Sequence, residues 1–102
     1  MADLYNESQI AVLLSFLKYD LQLVTAAFDT YLTQLLDAAV DFITREGIEL
    51  TDSAEDLQLV QMYAAYLYRK RAQNDPVMPR MLRFALNNRL FSQKMNEQQT
   101  EA

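Results

Sequence analysis

Three aspartates on one side of a predicted helix are the first residues whose spacing could support chemistry. Asp29, Asp37 and Asp41 follow one another, with Thr33, at four-residue steps, which places them in a line along one helix face. Carboxylates can act as general acid and base or bind a divalent cation, but such a cation needs several oxygen ligands converging on one point. The simpler interpretation is a helix face exposed to solvent.

The third predicted helix carries a basic run and three tyrosines. The run, Arg-Lys-Arg at positions 69–71, complements the dipole at the C-terminal end of the helix, and phosphate binding is the sharper alternative. Tyr63, Tyr66 and Tyr68 could stack on nucleobases, but they fall on different sides of the helix and make no flat platform. Packing in a core or at an interface is favoured for the tyrosines.

The residue types most used in catalysis are missing. The 102 residues include no histidine and no cysteine, which removes the commonest general base, the commonest transition-metal ligand and all thiolate chemistry. The single glycine leaves no glycine-rich loop to bind a phosphate. We therefore predict that the protein is not an enzyme and uses no cofactor and no metal. The lack of cysteine also suits a reducing cytosol.

Composition and charge favour a protein that binds other proteins. Hydrophobic residues make up 51% of the chain and aromatic residues 11%, more than the modest core of so short a chain can cover. Residues 1–62 carry eleven acids and two bases, whereas residues 63–102 carry seven bases and three acids. This separation suits head-to-tail self-association, although pairing within the chain is a simpler use of it. The net charge of −5 argues against general nucleic-acid binding, and we expect no signal peptide and no membrane span.

Helical spacing of apolar residues predicts an all-α fold, a small bundle of four helices with short connectors. The predicted helices cover about 8–19, 25–46, 54–72 and 79–94. Asn6 or Ser8 should cap the first, Gly47 should end the second in a left-handed conformation, and Ser53 should cap the third in a pair with Asp56. Pro79 is expected at the first position of the fourth. Residues 1–94 then form one domain, and residues 95–102 a loose, disordered polar tail.

The fourth predicted helix has the composition of a binding surface. Phe84 and Phe91 lie beside Arg80, Arg83 and Asn87, on the arc opposite the inward-facing leucines. Aromatic and arginine side chains grouped on a surface are typical of interface hot spots. Ordinary packing would explain them equally well, against a second stripe on the first helix formed by Val12, Phe16 and Tyr19.

Four segments together resemble a known family. They are residues 14–18, residues 31–43 closed by Gly47, residues 62–69, and residues 78–90, which read MPRMLRFALNNRL. They resemble the tailed-phage head–tail connectors, also called head-completion or DNA-packaging adaptor proteins, in the type found in phages and prophages of Gram-positive bacteria. The resemblance covers about residues 8–94, and its most distinctive part begins at Pro79.

The resemblance implies a virion structural protein. About a dozen copies would form a closed ring beneath the portal protein through heterologous contacts, in which one patch meets a different patch. The ring would extend the channel for double-stranded DNA, without sequence-specific binding, and would dock a head–tail stopper or tail component. It would assemble in the bacterial cytoplasm and remain at the virion head–tail junction.

The resemblance also suggests roles for particular residues. The line Asp29, Asp37 and Asp41 would face the channel, where like charge prevents DNA from adhering. We expect Arg83→Glu combined with Phe84→Ala to block assembly without unfolding the subunit. The residues expected to contact other subunits or the portal are Tyr63, Tyr66, Arg80, Arg83, Phe84, Asn87 and Phe91.

The alternative is a small helical regulatory protein that binds another protein or nucleic acid through residues 69–89.

Overall fold

The fold is all-α, as the sequence predicts. The computed structural model describes residues 4–71 and 77–101, and within these ranges it contains helices and connectors but no strand. The helices are α1 (Glu7–Leu21), α2 (Asp29–Arg45), α3 (Ala54–Lys70) and α4 (Arg80–Glu101), with a short 3-10 helix at Ala26–Phe28. The expected helix end at Ala72 and most of the turn that follows it lie outside the described residues.

Local signals in the sequence set most helix ends. Asn6 caps α1 in a full capping box, because its side chain accepts from the Gln9 N–H while Gln9 bonds back to the Asn6 N–H. The second helix does not start at Thr25. Thr25 caps the 3-10 helix instead, and α2 begins only at Asp29. Gly47 follows α2 with φ of +98°, which confirms its left-handed conformation.

The starts of α3 and α4 each differ from the prediction in one detail. Ser53 does cap α3, accepting from the Asp56 N–H, but the Asp56 side chain does not return to Ser53. It is buried and accepts hydrogen bonds from Thr51 and Arg89. Pro79 precedes α4 rather than occupying its first position, and its carbonyl accepts from the Arg83 N–H.

The polar C-terminal segment continues α4. The segment that the sequence predicts to be a loose tail has helical backbone through Glu101. The side chains from Met95 to Gln98 are exposed, as expected where there is little apolar surface to bury.

Helices α2 and α3 form the centre of the molecule. They pack along each other, α1 packs on both, and α4 packs on α3. One face of each helix supplies the core, and burying it drives folding. Two residues outside the helices are buried in the same core: Tyr5, in the segment before α1, and Ile48, in the connector between α2 and α3. The helical residues buried in it include Leu13, Leu17, Leu32, Leu36, Ile43, Leu59, Val60, Leu82 and Leu86.

Candidate interaction surfaces

Helix α4 has two apolar faces, of which only one is covered. Leu82 and Leu86 are 1% and 0% exposed and join the core. The opposite side presents large apolar side chains to solvent. We call this surface the α4 stripe: Met81, Phe84, Asn88, Phe91 and Met95.

The second face of α1 is also uncovered. Phe16 is 56% exposed and Tyr19 86%. Phe84 and Phe91, at 57% and 66% exposed, therefore do not pack against this face within the subunit. The structure thus excludes the packing interpretation of these phenylalanines, because neither aromatic face is covered within the chain. We call the exposed α1 surface the α1 stripe: Val12, Phe16 and Tyr19.

A shallow groove adjoins the α1 stripe. It runs between α1 and the first half of α3, and its floor includes Leu13 and Leu57. Val12 and Phe16 form one wall, and the glutamine side chains of α3 form the other. The groove extends the apolar surface of α1 toward α3 and gives it a polar rim, the arrangement found in protein interfaces.

The tyrosines predicted at an interface occupy different positions. Tyr63 is only 7% exposed and stacks on Phe42, with ring centroids 5.8 Å apart and planes 13° from parallel. Burial raises the pKa of its hydroxyl, and the nearby Glu46 carboxylate adds to this. Tyr66 is half-buried and meets the Tyr63 ring edge-on. Tyr63 is therefore a core residue, and the edge-on geometry offers no flat platform for a base.

Arg83 belongs to the subunit's own structure. Its guanidinium donates two hydrogen bonds to the Glu46 carboxylate at the end of α2, the Nη1–Oε2 bond being 3.3 Å. These bonds raise the pKa of Arg83. Arg80 and Asn87, in contrast, are exposed beside the α4 stripe. Of the predicted contact residues on α4, those two and the phenylalanines remain open to a partner.

The basic run at 69–71 is largely occupied within the chain. Arg69 lies 3.5 Å from the Asp20 carboxylate. The Arg71 guanidinium lies 4.3 Å from the centre of the Tyr68 ring and also near the rings of Phe28 and Tyr31. Such cation–π contacts hold a side chain in place without neutralising its charge. Arg69 and Arg71 therefore connect the end of α3 to α1 and to the start of α2.

The predicted acidic line is interrupted. Asp29 forms an ion pair with Lys18, Nζ to Oδ1 2.8 Å, whereas Asp37 and Asp41 have exposed side chains. Thr33 turns back to its own helix, donating to the Asp29 carbonyl. Among the described residues, no group of three acidic side chains is placed to hold a metal ion.

A buried polar centre at Asp56 was not predictable from the sequence pattern. This carboxylate is 0% exposed and accepts from Arg89 (Nε–Oδ1 2.6 Å, Nη2–Oδ2 3.0 Å) and from the Thr51 N–H and hydroxyl (2.7 and 2.9 Å). Burial acts to raise the Asp56 pKa, but the hydrogen bonds from Arg89 and Thr51 outweigh it and hold the pKa below 3.8. Arg89 also donates to the Glu49 carbonyl. The only sequence signal was the position of Asp56 three residues after a helix cap.

Comparison of the chain with protein-family models, with known proteins and with solved structures gives no match. In the described part of the chain, no single helix has both the length and the hydropathy to cross a membrane. The helices at 7–21 and 26–45 satisfy that test only as a pair bent by 119°.

Proposed function

We propose that this protein is a structural assembly subunit of the head–tail connector type, which forms a ring by self-association. The observation that carries the proposal is the pair of uncovered aromatic stripes on α1 and α4. A closed ring needs two different patches on each subunit, so that one patch meets the other on the next copy. Exposed aromatic stripes on two different helices meet that requirement.

The state of the basic residues supports an assembly role over nucleic-acid binding. Three arginines of the region 69–89 are paired with carboxylates of the same chain: Arg69 with Asp20, Arg83 with Glu46 and Arg89 with Asp56. Binding to a phosphate backbone requires basic groups that can neutralise phosphates. Half of the six basic residues in this region are therefore already paired within the chain, which weakens the regulatory alternative.

In the proposed ring, the acidic line on α2 faces the DNA channel. Asp41 would supply repulsion from an exposed carboxylate, whereas the charge of Asp29 is offset by Lys18. The ring would dock on a portal protein on one side and on a stopper or tail component on the other. The chemistry needed is shape and apolar complementarity, with no reaction to catalyse.

Electron microscopy of the concentrated protein, alone and mixed with its portal protein, tests the proposal. We expect closed rings, and we expect both Phe16→Ala and Phe84→Ala to reduce them, since each removes an exposed aromatic ring from one stripe. Val24→Ala is the matched control, because Val24 is 97% exposed but lies outside both stripes. Absence of rings at high concentration and on the portal would contradict the proposal.

A further inference from the structure

The α4 stripe has the spacing of a coiled-coil seam. Its residues follow one another at steps of three, four, three and four, which are the a and d positions of two heptads. All five are exposed, with Met81 at 76% and Phe91 at 66%. A surface helix ordinarily presents a polar face to water, so an apolar a/d seam on the outer side requires a cover.

The seam is placed so that another helix can reach it. The opposite side of α4 is attached to the body of the subunit by the side chains of Leu82, Leu86, Arg89 and Gln93. The seam therefore points away from the body along its whole length. From Met81 to Met95 it spans about 21 Å at 1.5 Å per residue, whereas the α1 stripe from Val12 to Tyr19 spans only about 10 Å. A partner of matching length is another copy of α4.

We propose that two copies of this chain pair through their α4 stripes as a parallel, in-register, two-stranded coiled coil. The inference concerns the free protein and holds whether or not the chain forms a ring. In a ring-forming protein this dimer would be the state before assembly, with the α4 stripe covered until another partner displaces the second copy.

The charges beside the seam favour the parallel orientation. One flank carries Arg80, Asn87 and Lys94, and the other carries Ala85 and Ser92. In a parallel pair, the basic flank of one helix faces the uncharged flank of the other. In an antiparallel pair, Arg80 would face Lys94 of the second copy at both ends, and such like-charge contacts are unfavourable.

Asn88 favours an in-register pair of two strands. It occupies the central a position, where asparagine is known to specify two strands and a single register at some cost in stability. In the parallel, in-register pair, the two Asn88 amides meet and can hydrogen bond to each other. A shift by one heptad would place each amide against Met81 or Met95, where it would be buried without a partner.

Two exposed phenylalanines and two exposed methionines are enough for a reversible dimer. A buried aromatic side chain contributes roughly 150–250 Å² of contact area. The whole seam therefore falls below the roughly 800 Å² per partner of a standard interface. We accordingly expect a dimer that dissociates on dilution.

Sedimentation of the full chain over a wide concentration range tests the dimer. We expect a monomer–dimer equilibrium, and we expect Phe84→Ala with Phe91→Ala to weaken it at least about tenfold, since buried aromatic residues are the usual hot spots. The control is Phe16→Ala with Tyr19→Ala, which removes two aromatic rings from α1 that are 56% and 86% exposed. A monomer at every concentration, or equal weakening by the control, would overturn the proposal.

Disulfide trapping tests the orientation, because the chain has no cysteine of its own. A Met81→Cys variant should form disulfide-linked dimers rapidly on mild oxidation, since a parallel pair brings the two positions together. Ser15→Cys, at an exposed position on α1, gives the rate from random collision. If Met81→Cys links no faster than that control, or links only when mixed with Met95→Cys, the parallel pair is wrong.

Discussion

At Asp56, burial and ionisation oppose each other. A carboxylate with no exposed surface is stable as an anion only when its oxygens are hydrogen bonded, and here Arg89 and Thr51 supply those bonds. A buried ion pair adds little stability compared with an apolar pair, but the loss of one partner is costly. The centre therefore specifies where α4 docks against the start of α3.

Replacing Arg89 should leave the buried carboxylate uncompensated. We expect Arg89→Met to lower the free energy of unfolding by about 3–5 kcal/mol at neutral pH. Urea unfolding followed by far-UV circular dichroism measures the change. Arg80→Met is the matched control: Arg80 is exposed on the same helix, so its loss should cost no more than about 0.5 kcal/mol. Equal effects of the two variants would contradict a structural role for the Asp56–Arg89 pair.

The same centre predicts a pH dependence in acid. The Asp56 pKa is lower in the folded protein than its ordinary 3.8, so its contribution to stability is complete above that value and is lost as the pH falls through the folded pKa. In Arg89→Met, burial still acts to raise the Asp56 pKa, but the hydrogen bonds from Arg89 that lower it are gone. The stability difference between wild type and variant should therefore shrink as the pH falls toward the folded Asp56 pKa of the wild type.

Tyr5 gives the corresponding dependence in alkali. Burial first, and then the charge of Asp56, raise the pKa of its hydroxyl from 10.0 to about 12, and the hydroxyl donates to the Thr51 carbonyl. Its contribution is complete below pH 10 and is lost as the pH rises toward 12. The stability difference between wild type and Tyr5→Phe should shrink over that range. Tyr19→Phe, at a ring 86% exposed, is the control.

On the scale of the helix, α4 combines two functions on opposite sides. One side holds it to the subunit through Leu82 and Leu86 and through polar contacts that include Arg83–Glu46 and Arg89–Asp56. The other side is the apolar α4 stripe, which contributes nothing to the subunit core. Variants on the two sides should therefore separate folding from association.

The double variant Arg83→Glu, Phe84→Ala changes one residue on each side of α4. A loss of assembly would therefore not show whether folding or association was affected. Arg83→Glu would place a second carboxylate against Glu46, so we expect it to destabilise the subunit by about 1–3 kcal/mol. Phe84→Ala removes a ring that is 57% exposed and should change the free energy of unfolding by less than about 1 kcal/mol. Separate denaturation of the two single variants checks this. A large loss of stability in Phe84→Ala would show that its ring supports the fold.

On the scale of the whole molecule, charge separation along the chain is partly cancelled by folding. The basic C-terminal half returns Arg69, Arg83 and Arg89 to carboxylates of the acidic N-terminal half. This is the pairing within the chain that the sequence offered as the simpler use of its opposite charges. The large apolar side chains of the α1 and α4 stripes remain exposed after folding.

The whole surface should therefore bind duplex DNA poorly. We expect micromolar protein to leave the anisotropy of a random-sequence duplex unchanged at low ionic strength, because the net charge is −5 and Arg69, Arg83 and Arg89 are paired with carboxylates. Fluorescence anisotropy of a labelled duplex measures this. Binding that weakens steeply with added salt would instead support the regulatory alternative, since that dependence reports released counterions.

The sequence by itself determined the helices and most of their ends. Asn6, Ser53 and Gly47 act through bonds or backbone conformations within a few residues, so the signals are readable locally. The periodicity also showed two apolar stripes on α1 and placed Phe84 and Phe91 away from the inward-facing leucines of α4. Of the leucines predicted to face inward on these helices, Leu13, Leu17, Leu82 and Leu86 are buried, whereas Leu14 and Leu90 are partly exposed.

Only the tertiary structure decided which groups meet across the chain. Arg89 and Asp56 are 33 residues apart, and Arg83 and Glu46 are 37 apart, so no local pattern links them. It also decided that the second faces of α1 and α4 do not cover each other. Helical periodicity fixes where a face lies on its own helix, but which faces meet depends on how the helices pack together.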